Sequence, residues 1–141
     1  LEVDKDGNSK LHVTSGFVAL ERDGRESIVP AGAMAITKKG RGIGTPYFED
    51  VSAQFQKALY KFDFENGAAK SLKILLNEAR EKDAITLWHL LSRTNGKDRE
   101  MVFETLNGLV KLPECCTKEG ILKLDKKMLE MWQREIGIIW Y

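Results

Sequence analysis

Cys115, Cys116, His12, His89 and the glycine run Gly40-x-Gly42-x-Gly44 are the residues of this chain whose types could do chemistry. Thiolates and imidazoles ligate metals or attack electrophiles, and glycine-rich loops cradle phosphates through bare backbone N–H groups. Spacing supports none of these. A phosphate loop ends in Gly-Lys-Ser/Thr, whereas Thr45-Pro46 follows Gly44. A dinucleotide fingerprint needs a βαβ unit and a later acid, and neither is present. The run reads as part of a flexible connector over residues 38–46. No H-x-x-x-H, H-E-x-x-H or C-x-x-C gives metal-ligand spacing. His89, the polar notch of an apolar stretch, reads as bonded to a backbone carbonyl. Cys115-Cys116 has no histidine near it in sequence and reads as small packing residues at a bend. Ser52, Ser71 and Ser92 lack the G-x-S-x-G elbow and the S-x-x-K pattern of serine nucleophiles. Carboxylates are abundant but fall mostly on polar helix faces, and spacing singles out no acid–base pair. The expectation is a non-enzyme with no catalytic residue, no metal and no cofactor. A pocket gathering His89, Cys115 or paired carboxylates would instead mark a hydrolase.

Interaction chemistry is better represented. Tyr47, Phe48, Trp140 and Tyr141 sit near element ends rather than mid-stripe, and interfaces are rich in such residues. For Trp140 and Tyr141, sealing the junction of two elements competes evenly with facing a partner. Lys38, Lys39 and Arg41 form a basic cluster without interleaved aromatics, which reads first as a solvated loop and second as an anion contact. These seven residues are the candidate interaction surface. Trp88 and Trp132 read as core. The 22 basic and 21 acidic residues nearly cancel, which argues against a nucleic-acid partner, whose binders usually carry a dominant basic face.

The elements that must position these residues change character near residue 46. Before it, short alternating runs separated by turn residues predict about four antiparallel strands, with Asp23-Gly24 a hairpin turn and Gly16 a bend. So small a sheet exposes edges and must pack on other chain. After it, apolar residues recur at helical spacing and predict about five helices. Val51, Phe55, Ala58, Leu59 and Phe62 line the first. Asp83 is placed to cap the third, Ala84 to Arg93, which is apolar nearly all round and so should be the most buried. Pro113 stops the fourth, and Asp125 caps the last. Tight links between helices suit HEAT-like packing. The fold class is therefore α+β: a β unit over residues 1–45 and a helical bundle over 46–141.

The run Leu11-His12-Val13-Thr14-Ser15-Gly16-Phe17-Val18-Ala19-Leu20, then Asp23-Gly24, then Ile28-Val29-Pro30-Ala31-Gly32, resembles the later part of a FecR-type domain. That family has a strand with V-x-x-G-x-V, a hairpin and an "aGe"-like turn. Ala33 stands where the turn commonly has an acidic or polar residue. The likeness covers about residues 1 to 37, the partial FecR-like unit. Gly42 to Asp50, Leu87 to Arg93 and Gly120 to Asp125 are similar to a helical extension of FecR-like proteins. The resemblance implies an extracytoplasmic, periplasmic part of a membrane-anchored anti-sigma signalling protein. Its partner would be an outer-membrane receptor or another envelope protein. Leu1 rather than Met opens the chain, and the anchor is expected upstream of it. The alternative is a cytoplasmic helical scaffold or adaptor with a β cap.

Overall fold

The computed structural model describes residues 2–3, 8–22, 25–38, 42–65 and 68–137, the side chains of 2, 3, 22, 25, 26, 68 and 69 excepted. The fold is α+β, with antiparallel strands followed by helices. Its two compact units divide between Glu78 and Ala79, not at the change of periodicity near residue 46. Two helices therefore belong with the sheet.

In the first unit, β1 (Glu2–Val3), β2 (Ser9–His12), β5 (Ala33–Lys38) and β6 (Gly42–Ile43) form one sheet in that order, with β7 (Tyr47–Phe48) also on β5. Between β2 and β5 the chain makes a separate hairpin, β3 (Phe17–Arg22) with β4 (Arg25–Pro30). Arg22 pairs with Arg25; the expected turn residues Asp23-Gly24 lie outside the described residues. Burial alternates as a pleated strand requires: Ser27 and Val29 in β4, and Ala33 and Ala35 in β5, are inside. Gly32 turns the chain into β5 at φ +85°, a conformation costly for a residue with a Cβ.

The segment expected to be a flexible connector is, from Gly42 on, an ordered bulged strand. Gly42 to Phe48 are all buried. Thr37 pairs with Ile43 and Lys38 with Gly42, while Ala33 pairs with Phe48 and Met34 with Tyr47. The register thus slips by one: Gly44, Thr45 and Pro46 face only Ala35 and Ile36, which is a β-bulge. Gly44 is required by close approach, because a Cβ there would lie 2.9 Å from the Ile36 carbonyl oxygen and 3.0 Å from Phe64 Cζ. Its N–H donates to that Ile36 carbonyl at 2.7 Å, and its carbonyl accepts from Ser27 Oγ at 3.1 Å. Residues 39–41 lie outside the described residues.

A bulge leaves a backbone donor unpaired in the ladder, and Thr45 is only 1% exposed. Asp63 meets that need. Its Oδ2 accepts from Thr45 N and its Oδ1 from Thr45 Oγ1, both at 2.8 Å. Asp63 comes from α1 (Ala53–Phe64), whose start is capped by Ser52 Oγ accepting from Phe55 N. The buried stripe of α1 is Phe55, Ala58, Leu59 and Phe64, so Phe64 takes the place expected for Phe62. Helix α2 (Ala68–Glu78) packs on α1 and buries Leu72 and Leu75.

The second unit holds a 3₁₀ turn (Glu81–Asp83), α3 (Ala84–Ser92), α4 (Gly96–Leu109), α5 (Lys118–Leu122) and α6 (Lys126–Gly137). As its apolar circumference requires, α3 is buried at seven of nine positions, including Ile85, Leu87, Leu90 and Leu91. Asp83 does not cap α3 with its side chain. Its buried carboxylate instead accepts from Arg80 N, Nε and Nη2 at 2.9, 2.9 and 3.0 Å. A charge-assisted fork outcompetes one N-cap bond. Asp125 does cap α6, accepting from Met128 N at 3.0 Å. Trp132 is fully buried, meets Phe103 edge-on at 5.4 Å, and donates to the Val110 carbonyl at 3.0 Å. Trp88 donates to the Leu129 carbonyl at 2.9 Å. Arg99 donates to the carbonyls of Leu91 (2.8 Å) and Leu122 (3.0 Å), tying the ends of α3 and α5.

Replacing Asp63 with Ala removes both acceptors from the bulge. Stability should fall by about 2–3 kcal/mol, and by about 1 kcal/mol in Asp63→Asn, which keeps one carbonyl acceptor. Urea unfolding midpoints of the two variants check the size and the order.

Candidate functional site

The bulge and α1 flank an open cavity of about 510 Å³ in the first unit. Residues spaced three or four apart on a helix share a face, and Ala53, Gln56, Lys57, Tyr60, Lys61 and Phe64 supply one wall. Ile36, Gly44, Thr45 and Tyr47 line it from β5 and the bulged strand. The volume lies within the range of small ligand sites, about 300–1,000 Å³. Tyr47, Tyr60 and Phe64 bring aromatic rings to a mostly apolar inner surface, while Lys57, Lys61 and Glu65 are exposed and bring charge to the lining. The Asp63 carboxylate lies in the lining too, held by Thr45.

Of the seven residues expected to form an interaction surface, Tyr47 lines this cavity. It is 3% exposed, and its hydroxyl accepts from Gln56 Nε2 at 3.3 Å. Burial pushes its phenol above the usual tyrosine range, the bond from Gln56 pulling the other way. The phenol is therefore protonated at neutral pH and has a proton to donate. Lys38 stands beside the cavity wall. Its Nζ donates to Tyr60 Oη at 3.2 Å and lies 5.4 and 6.0 Å from the ring centres of Tyr60 and Phe64, in cation–π range. Phe48 is not a surface residue: at 3% exposure it packs over Gly32, in the core. Lys39, Arg41, Trp140 and Tyr141 lie outside the described residues.

Gln56, Tyr60, Asp63 and Phe64 were not legible as site residues. Their one trace in the sequence is the carboxylate of Asp63 set between Phe62 and Phe64. An acid flanked by two aromatics on a helix invites the question of what it binds.

The residues first considered for chemistry are dispersed. His12 Nε2 pairs with Glu49 Oε1 at 2.9 Å on the surface. His89 is buried, its ring edge-on to Trp88 at 4.9 Å. Neither histidine and neither cysteine lines the cavity. Cys115 is exposed and Cys116 buried. Desolvation, with Cys115 and Asp125 adding to it, raises the Cys116 thiol to about 11, the reverse of what a nucleophile needs. Among the described residues no three His, Cys, Asp or Glu side chains gather as a metal would require. No helix of the described residues is long and apolar enough to cross a membrane. No family model, curated protein or solved structure matches the chain.

A phenol harder to ionise in the folded state than in the unfolded one binds its proton longer when folded. Its stabilising share is complete below the unfolded tyrosine pKa and is lost as pH rises through the folded one. Tyr47→Phe should therefore lose less stability than the parent across the alkaline range, measured by thermal unfolding at stepped pH.

Proposed function

We propose that the chain is a non-enzymatic, protein-binding regulatory domain of the kind that FecR-type signalling proteins place outside the cytoplasm. Its occupant is an apolar segment with acidic flanks from an envelope protein, such as an outer-membrane receptor. The observation that carries this reading is the cavity beside α1. Half-buried Tyr60 offers a ring on which a peptide side chain anchors, with the nearly buried Tyr47 and Phe64 lining the cavity beneath, and such anchors contribute most binding energy in protein interfaces. Lys57 and Lys61 line it against Asp63 and Glu65, and Lys38 stands at the wall beside Tyr60, so three lysines stand against two carboxylates and the small basic excess suits an acidic partner. The V-x-x-G-x-V resemblance gains support from Gly16, which turns from β2 to β3 at φ +66°.

Panning a random peptide display library on the chain tests this. Enriched peptides should combine aromatic or aliphatic residues with Asp and Glu. Lys57→Glu with Lys61→Glu should weaken their binding at least tenfold, while Lys73→Glu on the exposed face of α2 leaves it unchanged. No enrichment, or binding indifferent to the paired reversal, would contradict the proposal.

A further inference from the structure

The second unit gathers sulfur. The turn after α4 is closed by Cys116 N donating to the Pro113 carbonyl at 3.0 Å, which sets Cys115 and Cys116 side by side at its end. Helix α6 brings Met128 and Met131, three residues apart and hence on one face. Cys115 Sγ lies 3.3 Å from Met131 Sδ, and Cys116 Sγ lies 4.0 Å from the same atom. Both thiols thus meet the Met131 thioether. Met128 backs them: its thioether packs against Gly120, where a Cβ would collide with it, and sits 3.7 Å from Thr117 Oγ1.

Ordinary packing accounts poorly for this grouping. Cys115 is exposed and Met131 is 39% exposed, so half the cluster gains little from burial. The side chains are nonetheless aimed at one another rather than spread along the surface. Metal–sulfur bonds of about 2.3 Å place three sulfurs of a planar site roughly 4 Å apart; the Cys116–Met131 pair is at 4.0 Å, and the Cys115–Met131 pair, at 3.3 Å, would open slightly to admit the ion. Thiolate with thioether is a soft ligand set that selects monovalent copper over harder divalent ions. The exposed edge at Cys115 and Met131 gives the ion an entry.

We propose that Cys115, Cys116 and Met131 form a three-sulfur site for Cu(I). Each thiol that ligates gives its proton to solvent as its sulfur–copper bond forms, and the thioether of Met131 donates a lone pair. The copper enters and leaves as Cu(I), so no electron is transferred.

Anaerobic titration of the full chain with Cu(I) against bathocuproine disulfonate tests the site. One Cu(I) per chain should be withdrawn from the chelator. Met131→Leu, an exposed and volume-matched change that leaves the circular dichroism spectrum intact, should weaken retention at least tenfold. Met101→Leu on α4, where the methionine is equally exposed, should not. X-ray absorption should give a shell of three sulfurs. Retention by Met131→Leu equal to the parent's, or a shell of two sulfurs or of nitrogen and oxygen, would overturn the proposal.

Discussion

The hydrogen bonds from Thr45 to Asp63 are the constraint on which the first unit depends. A strand that slips register by one residue leaves a backbone donor without a ladder partner, and burial makes that costly. Asp63 removes the cost by accepting from both the N–H and the hydroxyl of Thr45 at 2.8 Å. Because Asp63 belongs to α1, the same pair of bonds fixes the helix to the bulge. Ser27 adds a third element through the Gly44 carbonyl. Tyr60 and Phe64 of α1 and Tyr47 of the bulged strand then line one cavity. The interaction that satisfies the backbone therefore also shapes the candidate site.

The fold class was legible because it rests on local periodicity. Val29, Ala33 and Ala35 alternate inward, and α3 is buried nearly all round, as their patterns require. The failures all involve non-local competition. Glycines at 42 and 44 suit a flexible connector or a bulged strand equally well. What decides is the Ile36 carbonyl and Phe64 crowding position 44, and neither is near it in sequence. Asp83 stands where an N-cap belongs, yet the guanidinium of Arg80 offers more than one helix N–H. The short α5, with Thr117 Oγ1 accepting from Gly120 N, has too few apolar positions to show a period.

The candidate site was half legible for a related reason. Tyr47 stood out as an aromatic near an element end, and Lys38 as a base in a loop-like stretch. The opposite wall comes from the side of α1 next to its buried stripe, and helical periodicity reveals the stripe rather than its flank. The same blindness hid the sulfur cluster. Cys115 and Cys116 have no ligand near them in sequence, and Met131 reaches them only because α6 returns along the turn after α4.

Hydrogen exchange at the Thr45 amide tests the central claim most directly. An N–H held by the Asp63 carboxylate inside an ordered bulge opens only with the unit that contains it, so it should exchange as slowly as the amides of α1 around Leu59. Exchange at the rate of an exposed loop would mean that residues 42–48 are a connector after all, and the cavity would lose the strand that forms its second wall.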